Sequence, residues 1–199
     1  MPVTRSDPPA EAEEAVRAAL QHFAGVPEQR LHALAGTRPA ELAPTEPHPV
    51  FNLGLSDLTS ARGGGLGAMR ATGWRYLLRQ ADQVVASAET VVPQAGGAQF
   101  SHFNQGPFVA STAEALATAE RLPEMREGSF EMRLLHVPAL YTMALWLHGD
   151  GDDDILIPLA PAPPDVEPNR PYPAAELLEL LAERAAGIPQ MGPDDTRGG

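Results

Sequence analysis

The chain has 199 residues, enough for one domain with a buried core, and its acidic side chains outnumber the basic ones by 26 to 14. The resulting net charge of −12 has the wrong sign for a protein that binds phosphate backbones or anionic lipid. All the basic residues are arginine and cysteine is absent. This composition excludes lysine-dependent phosphate loops, Schiff bases, thiol nucleophiles and thiolate metal sites.

No segment of the sequence has the character of a membrane span or a secretory signal. The longest strongly apolar stretch runs from Val137 to Leu147, whereas a membrane helix needs roughly twenty apolar residues. The N-terminal residues lack the apolar core of a signal peptide. We therefore expect a soluble, cytoplasmic protein that binds neither membrane nor nucleic acid.

The first third of the chain predicts helices followed by irregular connections. Residues 7–9, Asp-Pro-Pro, indicate the start of a helix that ends at Gly25, and a second short helical stretch is expected over residues 28–35. Four prolines in residues 37–49 predict a surface connection. Four glycines in residues 62–67 predict a turn, because neither the dinucleotide nor the P-loop pattern is complete around them.

The middle of the chain predicts strands. Trp74, Tyr76 and Leu78 alternate with Arg75 and Arg79, and a β-rich run over residues 84–92 follows. This pattern favours a β-hairpin, while a helix over residues 74–88 remains the alternative because the leucine and alanine content suits one. Residues 99–110 predict a third strand.

The second half predicts a helix, a meander and a final helix. Ser111 and Glu114 match a capping box and predict a helix over residues 112–122. The segments 130–137, 140–147 and 155–157 predict an antiparallel meander. Six prolines in residues 160–173 predict an extended strap laid over the surface. An apolar stripe then predicts a last helix over residues 174–186.

Together these elements predict the α+β class. We expect a single α+β domain over residues 10–186, with disordered tails at residues 1–9 and 187–199. Its sheet is expected to be antiparallel, with about five or six strands. The helices at 112–122 and 174–186 are expected to cover one face of that sheet, next to an N-terminal helical extension.

The acidic run at residues 150–154 resembles the start of a calcium loop but does not complete one. Counting from Asp150, Ile155 stands where the loop needs glycine, and Pro161 stands where it needs glutamate. None of the six histidines has a metal-binding spacing. We therefore expect a solvated hairpin tip there, and neither a metal nor a cofactor in the protein.

One polar run on a predicted strand is a candidate binding site. Residues 101–105 place four hydrogen-bonding side chains next to Phe103, and such groups either face water or converge on a ligand. With the neighbouring hairpin they define a candidate ligand-binding set, namely Trp74, Arg75, His102 and Asn104. Glu89 and Glu131 on their predicted strands would be perturbed acids if buried, although glutamates on a strand more often face solvent. No nucleophile motif assigns catalytic residues.

Trp146 is the candidate interface residue. Both faces of the strand at residues 140–147 carry large apolar side chains, which indicates cover on both sides. We expect the Trp146 face to meet either the N-terminal helices or a second subunit, the latter forming a two-fold homodimer.

The sequence therefore favours a non-catalytic, acidic interaction or accessory module that binds a protein partner or itself. The alternative is a small enzyme or ligand-binding protein whose pocket lies near Trp74, Arg75, His102 and Asn104.

Overall fold

The computed structural model describes residues 6–24, 34–60, 65–93, 96–127, 129–149 and 153–187. Over these residues the chain is an α+β fold built on one eight-stranded sheet. The α-helices are α1 (Ala10–Ala24), α2 (Leu55–Ser60), α3 (Pro107–Ala119), α4 (Glu124–Glu127) and α5 (Ala174–Ala186). The strands are β1 (Ala43–Asn52), β2 (Gly73–Gln80), β3 (Gln83–Val91), β4 (Gln99–Asn104), β5 (Glu131–Val137), β6 (Thr142–His148), β7 (Ile155–Pro158) and β8 (Tyr172–Pro173). None of the helices in these ranges has the length and apolar character needed to cross a bilayer.

The sheet consists of two antiparallel meanders joined by one parallel pair of strands. Its order is β4-β3-β2-β1-β5-β6-β7-β8, so β1 to β4 form one meander and β5 to β8 the other. The strands β1 and β5 run parallel through three residue pairs, from Val50 with Leu134 to Asn52 with His136. The expectation of a wholly antiparallel sheet of five or six strands is therefore corrected in both respects.

The strand that the sequence reasoning missed is the proline-rich β1. Three prolines lie in it, yet it pairs with β2 between Ala43 and Val50 and with β5 only from Val50 onward. Its first part thus has a partner strand on one side only, where a proline can lack its N–H without breaking a ladder hydrogen bond. A bulge between Thr45 and His48, with Glu46 at φ 51°, adjusts the register. The other missed strand, β8, has only two residues.

The predicted hairpin is confirmed, whereas the predicted strand after it is too long. β2 and β3 pair antiparallel around Ala81 and Asp82, so residues 74–88 are not a helix. β4 ends at Asn104 and α3 begins at Pro107, within the segment predicted as strand. Proline is well suited to the first helical position, where its missing N–H is not needed. The helix therefore begins before the predicted cap.

The predicted capping box is wrong because Ser111 lies inside α3 and is buried. Its hydroxyl donates to Asn169 Oδ1 at 3.0 Å and accepts from the backbone N–H of Ala160 at 2.7 Å. Asn169 Nδ2 in turn donates to Glu114 Oε2 at 2.7 Å. Both residues of the presumed box thus fasten the segment after β7 onto α3.

The predictions of the second meander and of the last helix are confirmed. The meander β5-β6-β7 is antiparallel, and α5 spans residues 174–186 as expected. The proline-rich segment 160–173 lies on the surface as predicted, but it is a series of turns that ends in β8 and not an extended strap; Val166 and Tyr172 are buried in it. Most of the second helical stretch, the first glycines of the 62–67 cluster, and Asp150 and Asp152 lie outside the described residues.

Helices cover both faces of the sheet, not one. The buried cluster on one face contains Phe51, Leu135 and Trp146 together with residues of α2 and α5, and α1 packs on the same face against β2 and β3. The alternate residues of β5 and β6, such as Leu134 and Leu145, pack with α3 and α4 on the opposite face. The expected cover on both sides of β6 is confirmed by this alternation.

Trp146 is closed off from solvent by its own chain. Its ring is 0% exposed, lies 5.0 Å from that of Phe51, and belongs to one buried cluster with Leu177 and Leu178 of α5. The cover on this face is therefore the C-terminal helix, and not the N-terminal helices or a second subunit that the sequence predicts. An interface role for Trp146 gains no support from this arrangement.

The hydrogen bonds of the Ser111 hydroxyl can be tested by substitution. Replacing Ser111 with alanine leaves the Ala160 N–H and Asn169 Oδ1 without their partner, so we expect the free energy of unfolding to fall by about 1–3 kcal/mol. Urea denaturation measures it. Ser56→Ala, at an exposed position of α2, serves as the matched control and should change the value by less than about 0.5 kcal/mol. Equal effects of the two changes would contradict the assigned role.

Candidate functional site

A cavity of about 480 Å³ opens on the α3 face of the sheet, beside the parallel pair β1 and β5. The connection from β4 to α3 bounds it on one side, and the turn between β5 and β6 bounds it on the other. Its lining includes Val50, Asn52, Thr72, Arg75, Glu89, Val91, Ser101, His102, Asn104, Phe108, His136, Tyr141 and Met143. Its volume is in the range of pockets that hold small organic molecules.

The register of three strands brings the charged side chains of the cavity together. Arg75 on β2 is opposite Glu89 on β3, and Glu89 is opposite His102 on β4. Cross-strand partners share one face of a sheet, and here that face is the one that carries α3. Because α3 begins only at Pro107, it leaves this part of the face open.

Arg75 lies at the bottom of the cavity and is fully buried. Its Nε is 3.6 Å from Glu89 Oε1, and its Nη1 donates weakly to Met143 Sδ at 3.7 Å. Nε and Nη2 have no hydrogen-bond acceptor among the described residues. Burial lowers the pKa of Arg75 and the nearby Glu89 opposes that shift, but a guanidinium stays cationic at neutral pH. Glu89 therefore balances a charge that has no access to water.

Glu89 is the centre of the polar groups in the cavity. Its side chain is 14% exposed, its Oε1 accepts a hydrogen bond from Asn104 Nδ2 at 3.2 Å, and its Oε2 lies 3.8 Å from His102 Nε2. One carboxylate thus connects Arg75, His102 and Asn104, the three members of the predicted set that line the cavity.

Trp74, the fourth member of the predicted set, lies on the opposite face. It is buried with Tyr76 and Leu78 in the cluster beneath α1. The reason is the alternation along a strand, which turns the side chains of neighbouring residues to opposite faces. Arg75 and Trp74 therefore cannot line the same pocket.

His136 and Asn52, which the sequence reasoning did not select, complete the site. His136 Nδ1 lies 3.1 Å from Asn52 Oδ1, and Asn52 Nδ2 donates to Thr72 Oγ1 at 3.0 Å. The Thr72 hydroxyl donates to the Val50 carbonyl at 3.1 Å. Since the Asn52 amide oxygen can only accept, His136 Nδ1 carries the proton in the neutral ring and Nε2 is an acceptor.

Burial lowers the pKa of His136, with smaller lowering effects from Arg75 and His102 and a raising effect from Glu89. The ring is therefore neutral at pH 7. Only the parallel pairing of β1 with β5 brings Asn52 and His136 side by side. Recognising β1 as a strand was thus the missing step.

Neither a serine-nucleophile arrangement nor a metal-binding cluster is complete among the described residues of the cavity. The Ser101 hydroxyl lies 2.8 Å from His102 Nδ1, but the 3.8 Å between His102 Nε2 and Glu89 Oε2 exceeds hydrogen-bond distance. The hydrogen-bonded chain that a serine nucleophile requires is therefore incomplete. Within the described ranges, no three His, Asp or Glu side chains converge in a way that could hold a metal ion.

The aromatic pair Phe108 and Tyr141 lies at the rim of the cavity. Tyr141 is 69% exposed and lies in the left-handed region at φ 50°, with its ring 5.4 Å from that of Phe108. A non-glycine residue in that conformation costs of order 1 kcal/mol and persists only where its surroundings hold it. With Val50 and Met143, the pair makes one wall of the cavity apolar.

From the Arg75–Glu89 pair we predict how the removal of one of the two charges changes the free energy of unfolding. Glu89→Gln keeps the shape but leaves a buried guanidinium unbalanced, so we expect the free energy of unfolding to fall by roughly 3 kcal/mol. Adding Arg75→Met should restore most of the loss. Glu13→Gln, which breaks the exposed pair with Arg17, is the control and should cost less than about 1 kcal/mol. A loss no larger than that of the control would refute the pairing.

The lowered pKa of His136 predicts a pH-dependent contribution to stability. The unfolded state, with an ordinary histidine pKa of 6.5, binds the proton more readily than the folded state. The stability that His136 contributes is therefore fully present above pH 6.5, and it is lost as the pH falls toward the pKa of His136 in the folded protein. Denaturation of wild type and His136→Gln between pH 8 and about pH 5 should show a shallower decline for the variant. Identical profiles would contradict the assignment.

Comparison of the chain with models of known protein families, with curated protein sequences and with solved structures gave no match. The geometry and electrostatics of the cavity residues are therefore the basis on which a function is assigned.

Proposed function

We propose that this protein binds a small, neutral organic molecule in the cavity on the α3 face of the sheet. The observation that supports the proposal is a concave space of about 480 Å³ in which polar side chains are already oriented by one another around Glu89. Preformed pockets with a few fixed polar groups and apolar walls are typical of ligand sites.

The charges favour a neutral ligand. The carboxylate of Glu89 and the guanidinium of Arg75 lie 3.6 Å apart and cancel to a first approximation. Arg75 is sealed from solvent, so it cannot form the direct paired contacts by which arginine binds carboxylates and phosphates. An anion would meet Glu89 first, and a cation would be opposed by Arg75 behind it.

The apolar wall favours a ligand with a ring or a compact hydrocarbon part. Phe108 and Tyr141 present an aromatic edge, and Met143 presents a flexible side chain that adapts to different shapes. Glu89, His102, Asn104 and His136 lie across from them. The ligand therefore has one polar and one apolar side.

Ligand binding has more support than the protein-interaction role that the sequence favoured. A large contiguous exposed apolar patch is one mark of a protein-docking surface. Among the described residues, the large exposed apolar side chains are Val91, Val92 and Tyr141, and two of these three line the cavity.

A matched pair of variants tests the proposal. Val91 and Val92 are 43% and 46% exposed, but only Val91 lines the cavity. Phenol, benzyl alcohol and benzamide are titrated into the ¹⁵N-labelled protein, and we expect amide shift changes concentrated in residues 50–52, 101–105 and 136–143. Val91→Trp should abolish them by filling the space, and Val92→Trp should not.

The proposal fails if none of the three compounds shifts the cavity resonances. It also fails if Val91→Trp and Val92→Trp bind them equally well. Because both valines are largely exposed, both variants are expected to fold, and the dispersion of their amide resonances verifies this before the titration.

A further inference from the structure

We infer, resting on the proposed function, that the ligand is a hydrogen-bond donor, recognised by three acceptors that the protein turns into the cavity: His136 Nε2, Asn104 Oδ1 and the Glu89 carboxylate. Three donors beside these acceptors are already used within the protein, because Asn52 donates to Thr72, Thr72 to the Val50 carbonyl and Asn104 to Glu89. The ligand class is a neutral compound whose hydroxyl, phenol or amide N–H enters among these acceptors.

The orientation of His136 follows from a chain of hydrogen bonds that ends on the backbone. The Val50 carbonyl can only accept, so the Thr72 hydroxyl donates to it and accepts from Asn52 Nδ2. This orientation leaves Asn52 Oδ1 facing His136 Nδ1 at 3.1 Å. The proton is therefore placed on Nδ1, and the lone pair of Nε2 is available as an acceptor.

The orientation of Asn104 follows from Glu89 in the same way. Asn104 Nδ2 donates to Glu89 Oε1 at 3.2 Å, and Asn104 Oδ1 accepts from no other described residue. The half-exposed His102 directs Nε2 toward Glu89 Oε2, and its Nδ1 is occupied by Ser101 Oγ. Asn104 Oδ1 and the Glu89 carboxylate thus join His136 Nε2 as acceptors on one side of the cavity.

These three acceptors discriminate between ligand classes. A ligand hydroxyl or N–H satisfies an acceptor that would otherwise lose its solvation on binding. An ether, ester or carboxylate oxygen placed there would face another lone pair. A compound that differs only by loss of its polar hydrogen should therefore bind about tenfold more weakly, which corresponds to roughly 1.4 kcal/mol.

Protonation of His136 would convert its acceptor into a donor. The groups that act on this ring are Asn52 on β1, Arg75 on β2, Glu89 on β3 and His102 on β4, and Tyr141 is the further titratable group that lines the cavity. Binding of a donor ligand should therefore weaken as the pH falls through the titration of His136.

The first test measures the tautomer directly in the free protein. Long-range ¹H–¹⁵N correlation of the imidazole rings at pH 7.5 distinguishes a protonated from an unprotonated ring nitrogen. We expect His136 to be neutral, with the proton on Nδ1. A proton on Nε2, or a charged ring at this pH, would overturn the inference whatever the ligand experiments show.

The second test compares phenol with anisole, which replaces the polar hydrogen with a methyl group. Titration of each into the labelled protein should give about tenfold weaker binding for anisole. Thr72→Val releases the Asn52 amide and should reduce this preference. Thr45→Val is the matched control, because Thr45 also donates to a strand carbonyl but does not line the cavity; it should keep the preference.

The outcomes separate the two proposals. Equal binding of phenol and anisole at the cavity would overturn the donor-ligand inference and leave the binding function standing. Absence of binding by both compounds, with the expected His136 tautomer present, would instead refute the proposed function. A preference for phenol that survives Thr72→Val unchanged would contradict the role of the Asn52–Thr72 chain.

Discussion

The charge of Arg75 is the constraint on which the site depends. A fully buried guanidinium costs several kcal/mol unless a carboxylate balances it, and Glu89 on the adjacent strand is placed to do so. Once Glu89 is held there, it orients Asn104 and lies beside His102. The edge strand β4 is thus tied to the centre of the sheet by side-chain chemistry as well as by its backbone ladder.

The second constraint is the parallel contact between the two halves of the sheet. Only three residue pairs join β1 to β5, but they bring Asn52 next to His136 and close the cavity on that side. The prolines of β1 lie before this contact, where the strand has no β5 partner. The same strand can therefore carry prolines and still end in the middle of an eight-stranded sheet.

The parts of this arrangement that could be predicted from the sequence are those with a local signature. The alternation over residues 74–92 predicts the hairpin, and the polar run on the next strand predicts His102 and Asn104 near Arg75. The apolar stripe predicts α5 to its observed ends. Applied strictly, the same alternation would have placed Trp74 on the other face from Arg75.

The parts that could not be predicted depend on contacts between distant segments. Nothing local in residues 43–52 indicates a strand that pairs with residues 134–136, so Asn52 and His136 had no visible connection. Ser111 and Glu114 satisfy the capping pattern, but their side chains bond to the segment 160–169 instead. Contacts with a distant segment of the chain, and not the local capping pattern, thus determine the hydrogen bonds of these two side chains.

The measurement that tests the central claim most directly is hydrogen exchange at the Arg75 guanidinium, followed by NMR at its Nε–H. A cation that is buried behind Glu89 and Met143 should give a resolved Nε–H resonance that exchanges far more slowly than that of the exposed Arg17. Glu89→Gln should shift this resonance or accelerate its exchange. An Arg75 signal that exchanges as fast as the Arg17 signal would show that the guanidinium reaches water, and would contradict the account of the cavity built on it.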